Sequence, residues 1–391
     1  MKNIKRVIII VLDSVGIGAL PDAPHCGDEN SFTLKHVAES VENFSLPNLS
    51  KMGLGHIALV PGIPKIEVSK AFYGKMVEKS SGKDTTTGHW ELAGTVLKHP
   101  FPVYPKGFPR EIIKRFEERI GKEILGNTPA SGTEIIKELG QKHINTGKPI
   151  VYTSADSVFQ VAAHESIIPP KELYNICLEA REILQGKHGV ARVIARPFIG
   201  EYPNFTRTAK RKDFSLAPPP GNVLNLAVEC GLKVKAVGKI HDIFAGSGIS
   251  TSMPTKNNND GIQKTINEIK KPFKGILFTN LIDFDMLYGH RNDPEGYYKA
   301  LKEFDNTLPE ITAHLKPEDC LMITADHGCD PVHPGTDHTR EYVPIMVYSK
   351  SFKSSGDLGT RRSFADLGQT TAELLQIGKT KDGESFAHLL C

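Results

Sequence analysis

The chain has 391 residues, of which 39% are hydrophobic and 24% charged, and its formal net charge is +3. A chain of that size buries a large core and is long for one domain. The small charge, with no Lys/Arg block, excludes broad nucleic-acid binding but leaves room for a local basic pocket, and no apolar stretch is long enough to span a membrane.

The basic start, Met1-Lys2-Asn3-Ile4-Lys5-Arg6, precedes the apolar run Val7–Leu12. The run is too short for the apolar region of a signal peptide and no small-residue cleavage site follows, so it reads as a buried strand over 5–12 ending at Asp13. Two glycine-rich segments then suggest nucleotides and fail. Asp13–Ala19 lacks the third glycine of a dinucleotide fingerprint, and Ser81-Gly82-Lys83-Asp84-Thr85 lacks the upstream glycine of a Walker A loop. Their glycines are expected to let backbone pass close to a metal-bound phosphate. Thr85, Thr86 and Thr87 precede Gly88 and a helical pattern at 89–94, and a helix N-terminus favours an anion. A threonine hydroxyl is a poor nucleophile unless a cation lowers its pKa. Spacing alone does not choose among the three.

Proline-rich stretches at 99–109 and 217–221 read as connectors. They bracket an expected inserted domain, 99–218, within a core split into 1–98 and 219–391. The insert reads as a small α+β cap, with strands at 149–153 and 190–195 and helices at 111–120, 133–139 and 172–185. The last places Leu173, Ile176, Cys177, Ala180, Ile183 and Leu184 on one face. Beyond it come a helix at 222–230, strands at 233–237 and 276–282, a helix at 295–306, strands at 320–325 and 344–348, and a helix at 363–376 capped by Ser363. Such alternation implies an α/β core, a mostly parallel sheet flanked by helices, with ligands at the carboxyl ends of its strands.

The candidate ligands sit at those ends. Asp13 follows the first strand, Asp285 and His290 follow the run 276–282, Asp326 and His327 follow the run 320–325, and His338 lies eleven residues after His327. Any one of these is ordinarily a surface or capping residue. Three carboxylates ending three apolar strands, joined by imidazoles, make a two-metal phosphoryl-transfer site, and the mixed oxygen and nitrogen set suits Mn²⁺ or Zn²⁺. The six scattered cysteines form no CxxC pair and read as free thiols, Cys329 as a small filler beside the cluster.

Several motifs carry a resemblance: Leu12–Ala19, Lys83–Glu91, Tyr152–Ser157, Ala191–Phe198, Gly238–Ile240, Asp283–Arg291, Thr324–Gly328 and Asp337–Glu341. Together they resemble the alkaline phosphatase superfamily and, within it, the bacterial phosphopentomutases. The resemblance implies an alkaline-phosphatase-like core with a cap, and two Mn²⁺ per subunit. One would be held by Asp285, His290 and His338, the other by Asp13, Asp326, His327 and the Thr85 side chain. Thr85 matches the family's phosphorylated threonine. Ser154, Asp156, Arg192, Arg207 and Lys239 match substrate-binding positions, whereas His89, His241 and His333 are not carried over as ligands. The implied reaction interconverts ribose 1-phosphate and ribose 5-phosphate, and the 2-deoxyribose analogues. It runs through a 1,5-bisphosphate, with glucose 1,6-bisphosphate or ribose 1,5-bisphosphate as activator. The expected partners are sugar phosphates, with no nucleic acid or membrane, and the expected state is a cytoplasmic monomer. A phosphoglycerate mutase or a phosphatase of the same superfamily is the alternative. A sulfatase is not, because the CxPxR context is missing.

Overall fold

The computed structural model describes residues 4–154 and 156–390; the start of the basic N-terminus (1–3), Ala155 of the Tyr152–Ser157 motif and Cys391 lie outside the described residues. Strands are numbered in chain order. They are β1 (Arg6–Leu12), β2 (Phe72–Met76), β3 (Leu125–Pro129), β4 (Ile150–Thr153), β5 (Val158–His164), β6 (Arg192–Ile199), β7 (Thr206–Arg207), β8 (Lys212–Ser215), β9 (Lys233–Val237), β10 (Thr251–Met253), β11 (Gly275–Leu281), β12 (Asp319–Thr324), β13 (Val343–Tyr348) and β14 (Asp357–Arg361). The chain divides into two compact units, Met1–His99 with Pro218–Cys391, and Pro100–Ala217.

The first unit is built on an eight-stranded sheet in the order β10-β9-β11-β1-β12-β13-β2-β14. β1, β11 and β12 are buried along their whole length, which requires cover on both faces and accounts for their unbroken apolar sequences. β1 pairs in parallel with β11 on one side and β12 on the other, so the ends of three neighbouring strands emerge at one edge of the sheet. β13 departs from the parallel pattern and runs antiparallel to β12 and β2. The physical reason lies in the connection. Residues 325–342 contain no helix, and a parallel return needs a crossover, usually helical. That loop carries Asp326, His327 and His338.

Two helices depart from their expected limits in opposite directions. The one expected at 295–306 runs Pro294–His314 with Pro309 inside it. Proline cannot donate to the Asp305 carbonyl, and Asn48 Nδ2 does so instead at 3.0 Å. The helix Ala365–Leu375 starts after Phe364, with no side-chain cap from the residue at its cap position. Ser363 lies one residue earlier, and its Oγ accepts from Ala365 N–H at 3.0 Å. A further helix, Asn258–Lys270, lies between β10 and β11.

The second unit has the strand order β3-β4-β5-β6-β7, with β8 also paired to β6. The helix Pro170–Ile183 packs Leu173, Ile176, Cys177, Ala180 and Ile183 into a core with Phe108, Phe116, Phe159 and Val193. The helix Gly132–Thr146 instead joins Ile135 and Ile136 to Ile150, Tyr152, Ala162 and Phe198.

Candidate metal centre

The ligand candidates gather where β1, β11 and β12 end. Asp13 is the residue after β1, and Asp326 lies two residues after β12. Asp285 stands further out, on a turn of π-helix over Phe284–Tyr288, and His290 on the 3₁₀ turn that follows. Three groups of donor atoms result, each within 4.8 Å internally: Asp13, Asp326 and His327; Asp285, His327 and His338; and Asp285, His290 and Cys329. His327 Nε2 lies 3.4 Å from Asp13 Oδ1 and 3.3 Å from Asp326 Oδ2. The Asp285 oxygens face His290 Nε2 and His338 Nε2, each at 3.3 Å.

Two imidazoles are aimed by their other nitrogen. His290 Nδ1 donates to Thr336 O at 2.6 Å, and His327 Nδ1 to Gly328 O at 3.0 Å. Each thereby presents Nε2 to the carboxylates, the arrangement of a metal-ligating histidine. The donor set fits divalent cations on a second ground. Asp13 Oδ1, Asp285 Oδ1 and His338 Nε2 are buried without a hydrogen-bond partner among the described residues. Such atoms are costly to bury unless something completes them.

Electrostatics agrees. Burial, then the charges of Asp326 and Asp285, push the Asp13 carboxyl well above its ordinary range. Burial also opposes ionisation of Asp285, but the imidazoles of His290 and His338, each 3.3 Å away, outweigh it and hold that carboxyl low. Its hydrogen bond to Asp285 pushes His290 up to about 9. Protons are standing where cations would neutralise the site. Cys329 is buried, and burial with the Asp285 charge raises its thiol far above its ordinary value. A protonated thiol is a weak ligand, which leaves it a filler of the loop.

Thr85 opens the helix Thr85–Leu92, four residues earlier than the pattern at 89–94 implied. Its Oγ1 lies 3.1 Å from His327 Nε2. The Thr87 hydroxyl instead donates to Asp84 Oδ2 at 2.5 Å, and Asp84 Oδ1 accepts from the N–H groups of Thr86 and Thr87 at 3.1 and 3.2 Å. Asp84 therefore caps the helix N-terminus at the N–H groups of Thr86 and Thr87. The glycine expectation changes too. A Cβ on Gly16 would stand 2.3 Å from Glu341 Oε2, and one on Gly82 would stand 2.7 Å from Thr87 Oγ1, so these glycines admit close side chains. Gly88 is the one that brings Thr85 in, because its missing Cβ would lie 2.1 Å from the Asp326 carbonyl oxygen.

Several supporting residues escaped the sequence reading. Asn280 Nδ2 donates to Asp13 Oδ2 at 2.6 Å, Ser14 N–H to Asp326 Oδ1 at 3.1 Å, and His89 Nδ1 lies 2.9 Å from Asp326 Oδ2. Asn280 left a signal, a lone amide near the end of an apolar strand. Ser14 reaches Asp326 only by adopting a φ of 70°, a left-handed conformation that costs a non-glycine residue about 1 kcal/mol. Glu341 accepts from Gly18 N–H, Thr33 N–H, Thr33 Oγ1 and Thr339 Oγ1. Arg340 donates to Asp22, Glu78, Ser80 O and Gly82 O, which fixes the strap leading to Thr85 beside the loop carrying His338.

Lys239 follows β9, exposed, with Nζ 3.7 Å from the sulfur of Met286, the neighbour of Asp285. Ser154, Asp156, Arg192 and Arg207 belong to the other unit. Ser154 follows β4, and its Oγ accepts from Asp156 N–H at 3.3 Å. Arg192 opens β6, 3.7 Å from Asp213 Oδ2, and Arg207 is exposed on β7.

The class this site defines is that of a metal-dependent enzyme, and residues 5–379 match the Metalloenzyme superfamily. Similarity to known proteins is closer than that. The phosphopentomutase of Acetivibrio thermocellus is 61% identical over 382 residues, 98% of either chain. That of Caldanaerobacter subterraneus is 60% identical over 383 residues, 98% of this chain and 97% of the other. The chain belongs to the phosphopentomutase family. Among solved structures, a phosphoglycerate mutase of Leishmania mexicana is 12% identical with a TM-score of 0.48, covering 98% of both chains; at that distance it carries no functional weight.

Proposed function

We propose that this chain performs the phosphopentomutase reaction of its family, ribose 1-phosphate to ribose 5-phosphate and back with the 2-deoxyribose analogues, through a phosphorylated Thr85. The observation that carries the mechanism is the 3.1 Å approach of Thr85 Oγ1 to His327 Nε2, inside the group formed with Asp13 and Asp326. Phospho-Thr85 donates its phosphoryl group to the free hydroxyl of the bound sugar phosphate. The Oγ1–P bond breaks, a sugar O–P bond forms, and the hydroxyl proton is released. The resulting 1,5-bisphosphate returns its other phosphate to Thr85 Oγ1, and the sugar oxygen left behind takes up a proton. Glucose 1,6-bisphosphate or ribose 1,5-bisphosphate first loads the threonine.

Asp285, His290 and His338 would hold one Mn²⁺, and Asp13, Asp326, His327 and Thr85 the other. Bound, the cations would supply charge neutralisation at the phosphoryl oxygens and lower the pKa of the Thr85 hydroxyl. Asn280 and Ser14 keep the carboxylates of Asp13 and Asp326 turned toward that space. Ser154, Asp156, Arg192, Arg207 and Lys239 are proposed to contact the sugar phosphate, guanidinium forks serving phosphate and the carboxylate serving ribose hydroxyls. No helix among the described residues is long and apolar enough to cross a membrane. The chain is proposed to act as a monomer in the cytoplasm, where the thiols of Cys177, Cys320 and Cys329 stay reduced.

The test is a coupled assay of ribose 1-phosphate conversion with Mn²⁺, on wild type and Thr85→Ala, with mass spectrometry of Thr85 after exposure to glucose 1,6-bisphosphate. Conversion and a phosphorylated Thr85 in the wild type, both lost in the variant, are expected. A wild type that converts nothing ends the proposal.

A further inference from the structure

His89 sits inside the candidate metal centre without being one of its ligands. It is 0% exposed, and both ring nitrogens meet groups of the site. Nε2 stands 3.2 Å from Asn280 Nδ2. Nδ1 stands 2.9 Å from the Thr85 carbonyl oxygen and 2.9 Å from Asp326 Oδ2. The ring stacks on Phe278 of β11, with centroids 5.9 Å apart and planes 29° apart, so apolar packing sets its plane.

The neighbours decide which ring nitrogen carries the proton. Asn280 Nδ2 donates to Asp13 Oδ2 at 2.6 Å. Turning that amide over would set its oxygen against a carboxylate, so Nδ2 faces Asp13 and offers its second hydrogen to His89. An amide nitrogen only donates; His89 Nε2 therefore accepts, and the ring proton is left on Nδ1. There it has one well-directed acceptor. Asp326 Oδ2 has no hydrogen-bond partner of good geometry among the described residues. The Nδ1–H thus points at the Thr85 carbonyl, and the carboxylate oxygen stays beside it, open to a cation. The single lone pair of the ring is taken by Asn280, which is why His89 is not itself a ligand.

We propose that His89, as the Nδ1–H tautomer, is a positioning residue that holds the backbone of Thr85 in register with Asp13 and Asp326. Asp13, Asn280, His89 and the Thr85 carbonyl form one run of donors and acceptors. A ring fixed at Nε2 by Asn280 and in its plane by Phe278 gives the first residue of the helix Thr85–Leu92 a fixed point to hang from. His89 bonds the carbonyl and not the hydroxyl, so it acts through Thr85 and never on the phosphoryl group. The inference rests on the Thr85 reading above and deepens it.

Two amide side chains separate the two ends of the ring. In His89→Asn the amide nitrogen can stand where Nδ1 does and keep the bond to Thr85. In His89→Gln the longer chain reaches Asn280 and gives that bond up. In the coupled assay with Mn²⁺, His89→Gln is expected to lower kcat about a hundredfold, with KM for ribose 1-phosphate within about threefold of wild type. His89→Asn is expected to lose about tenfold. A merely structural role would weaken both variants alike. The imidazole nitrogen resonances of His89, in the full chain loaded with diamagnetic Mg²⁺, read the proton directly: Nδ1 is expected to carry it and Nε2 to be bare. A proton on Nε2, or equal kcat in the two folded variants, overturns the assignment. If neither variant folds, the resonances decide. A wild type that converts no ribose 1-phosphate while Nδ1 carries the proton would instead sink the mutase reaction and leave the His89 contact standing.

Discussion

Replacing Gly88 with alanine sets two physical effects against each other. Gly88 lies within the helix Thr85–Leu92, where propensity alone makes alanine the better residue by about 1 kcal/mol. The structure argues the opposite. The new Cβ would stand 2.1 Å from the Asp326 carbonyl oxygen and 2.9 Å from its carbon. Carbon and oxygen settle at about 3.3 Å when they touch, so the shortfall is about 1 Å, and the opposing atoms are backbone beside a buried ligand. The helix has to retreat, and it carries Thr85 with it. Overpacking of this kind costs about 1–3 kcal/mol, which cancels or exceeds the propensity gain. A displacement of about 1 Å at the proposed nucleophile costs on the order of a hundredfold in rate. The coupled assay on Gly88→Ala is therefore expected to show kcat down about a hundredfold, while the melting temperature changes little and Mn²⁺ still binds at Asp285, His290 and His338. A variant with kcat within threefold of wild type would refute the reasoning, because Thr85 would then not be set in place by this contact.

In the metal-free chain His290 sits at about 9, against an ordinary value of 6.5. The stability that this bond to Asp285 gives is present below about 6.5 and is lost as pH rises through about 9. Mn²⁺ binding runs the other way: it must expel about one proton at pH 7, and affinity climbs with pH toward 9. Calorimetry in two buffers of different ionisation enthalpy reads the proton, and identical heats would rule it out. Asn280→Leu removes the donor at 2.6 Å from Asp13 and should weaken Mn²⁺ binding about ten- to a hundredfold; paramagnetic resonance titration checks this, and a change under threefold counts against it. Arg340→Met strands Glu78, a carboxyl that burial and then Glu91 already push well above its ordinary range. The side chains of Arg340 and Glu78 are 6% and 1% exposed, so breaking the pair should cost about 3–5 kcal/mol. Denaturant unfolding measures this, and a loss below about 1 kcal/mol would show that the strap needs no anchor.

The parts of this protein that were legible in its sequence are those written in consecutive residues. β1, β11 and β12 stand within a residue of their expected limits because strands buried on both faces need unbroken apolar runs. The candidate ligands were legible as a group because each follows such a run or lies in the loop after it. The start of the helix Thr85–Leu92 was not, because three β-branched or polar threonines and a glycine read as poor helix formers. It begins where it does because Asp84 accepts from Thr86 and Thr87 N–H, a local bond that outweighs propensity. The groups that aim the site were hidden for a different reason. Glu341 reaches Thr33 across 308 positions, and Arg340 reaches Glu78 across 262. No spacing rule spans such distances; only the sheet order brings them together.

The choice among the three threonines shows what the fold adds. Successive helix residues turn by about 100°, so only one of three neighbouring hydroxyls faces His327. Thr85 does so at 3.1 Å, whereas the hydroxyl of Thr87 is turned back onto Asp84. Thr86 has its N–H committed to Asp84 as well, which fixes the rotation of the whole first turn. The Asp84 cap is therefore also what leaves the Thr85 hydroxyl, the proposed nucleophile, facing His327. It follows that neither neighbour can replace Thr85: with Thr85→Ala the remaining hydroxyls stay at their angles, and transfer stops although two threonines survive within two residues.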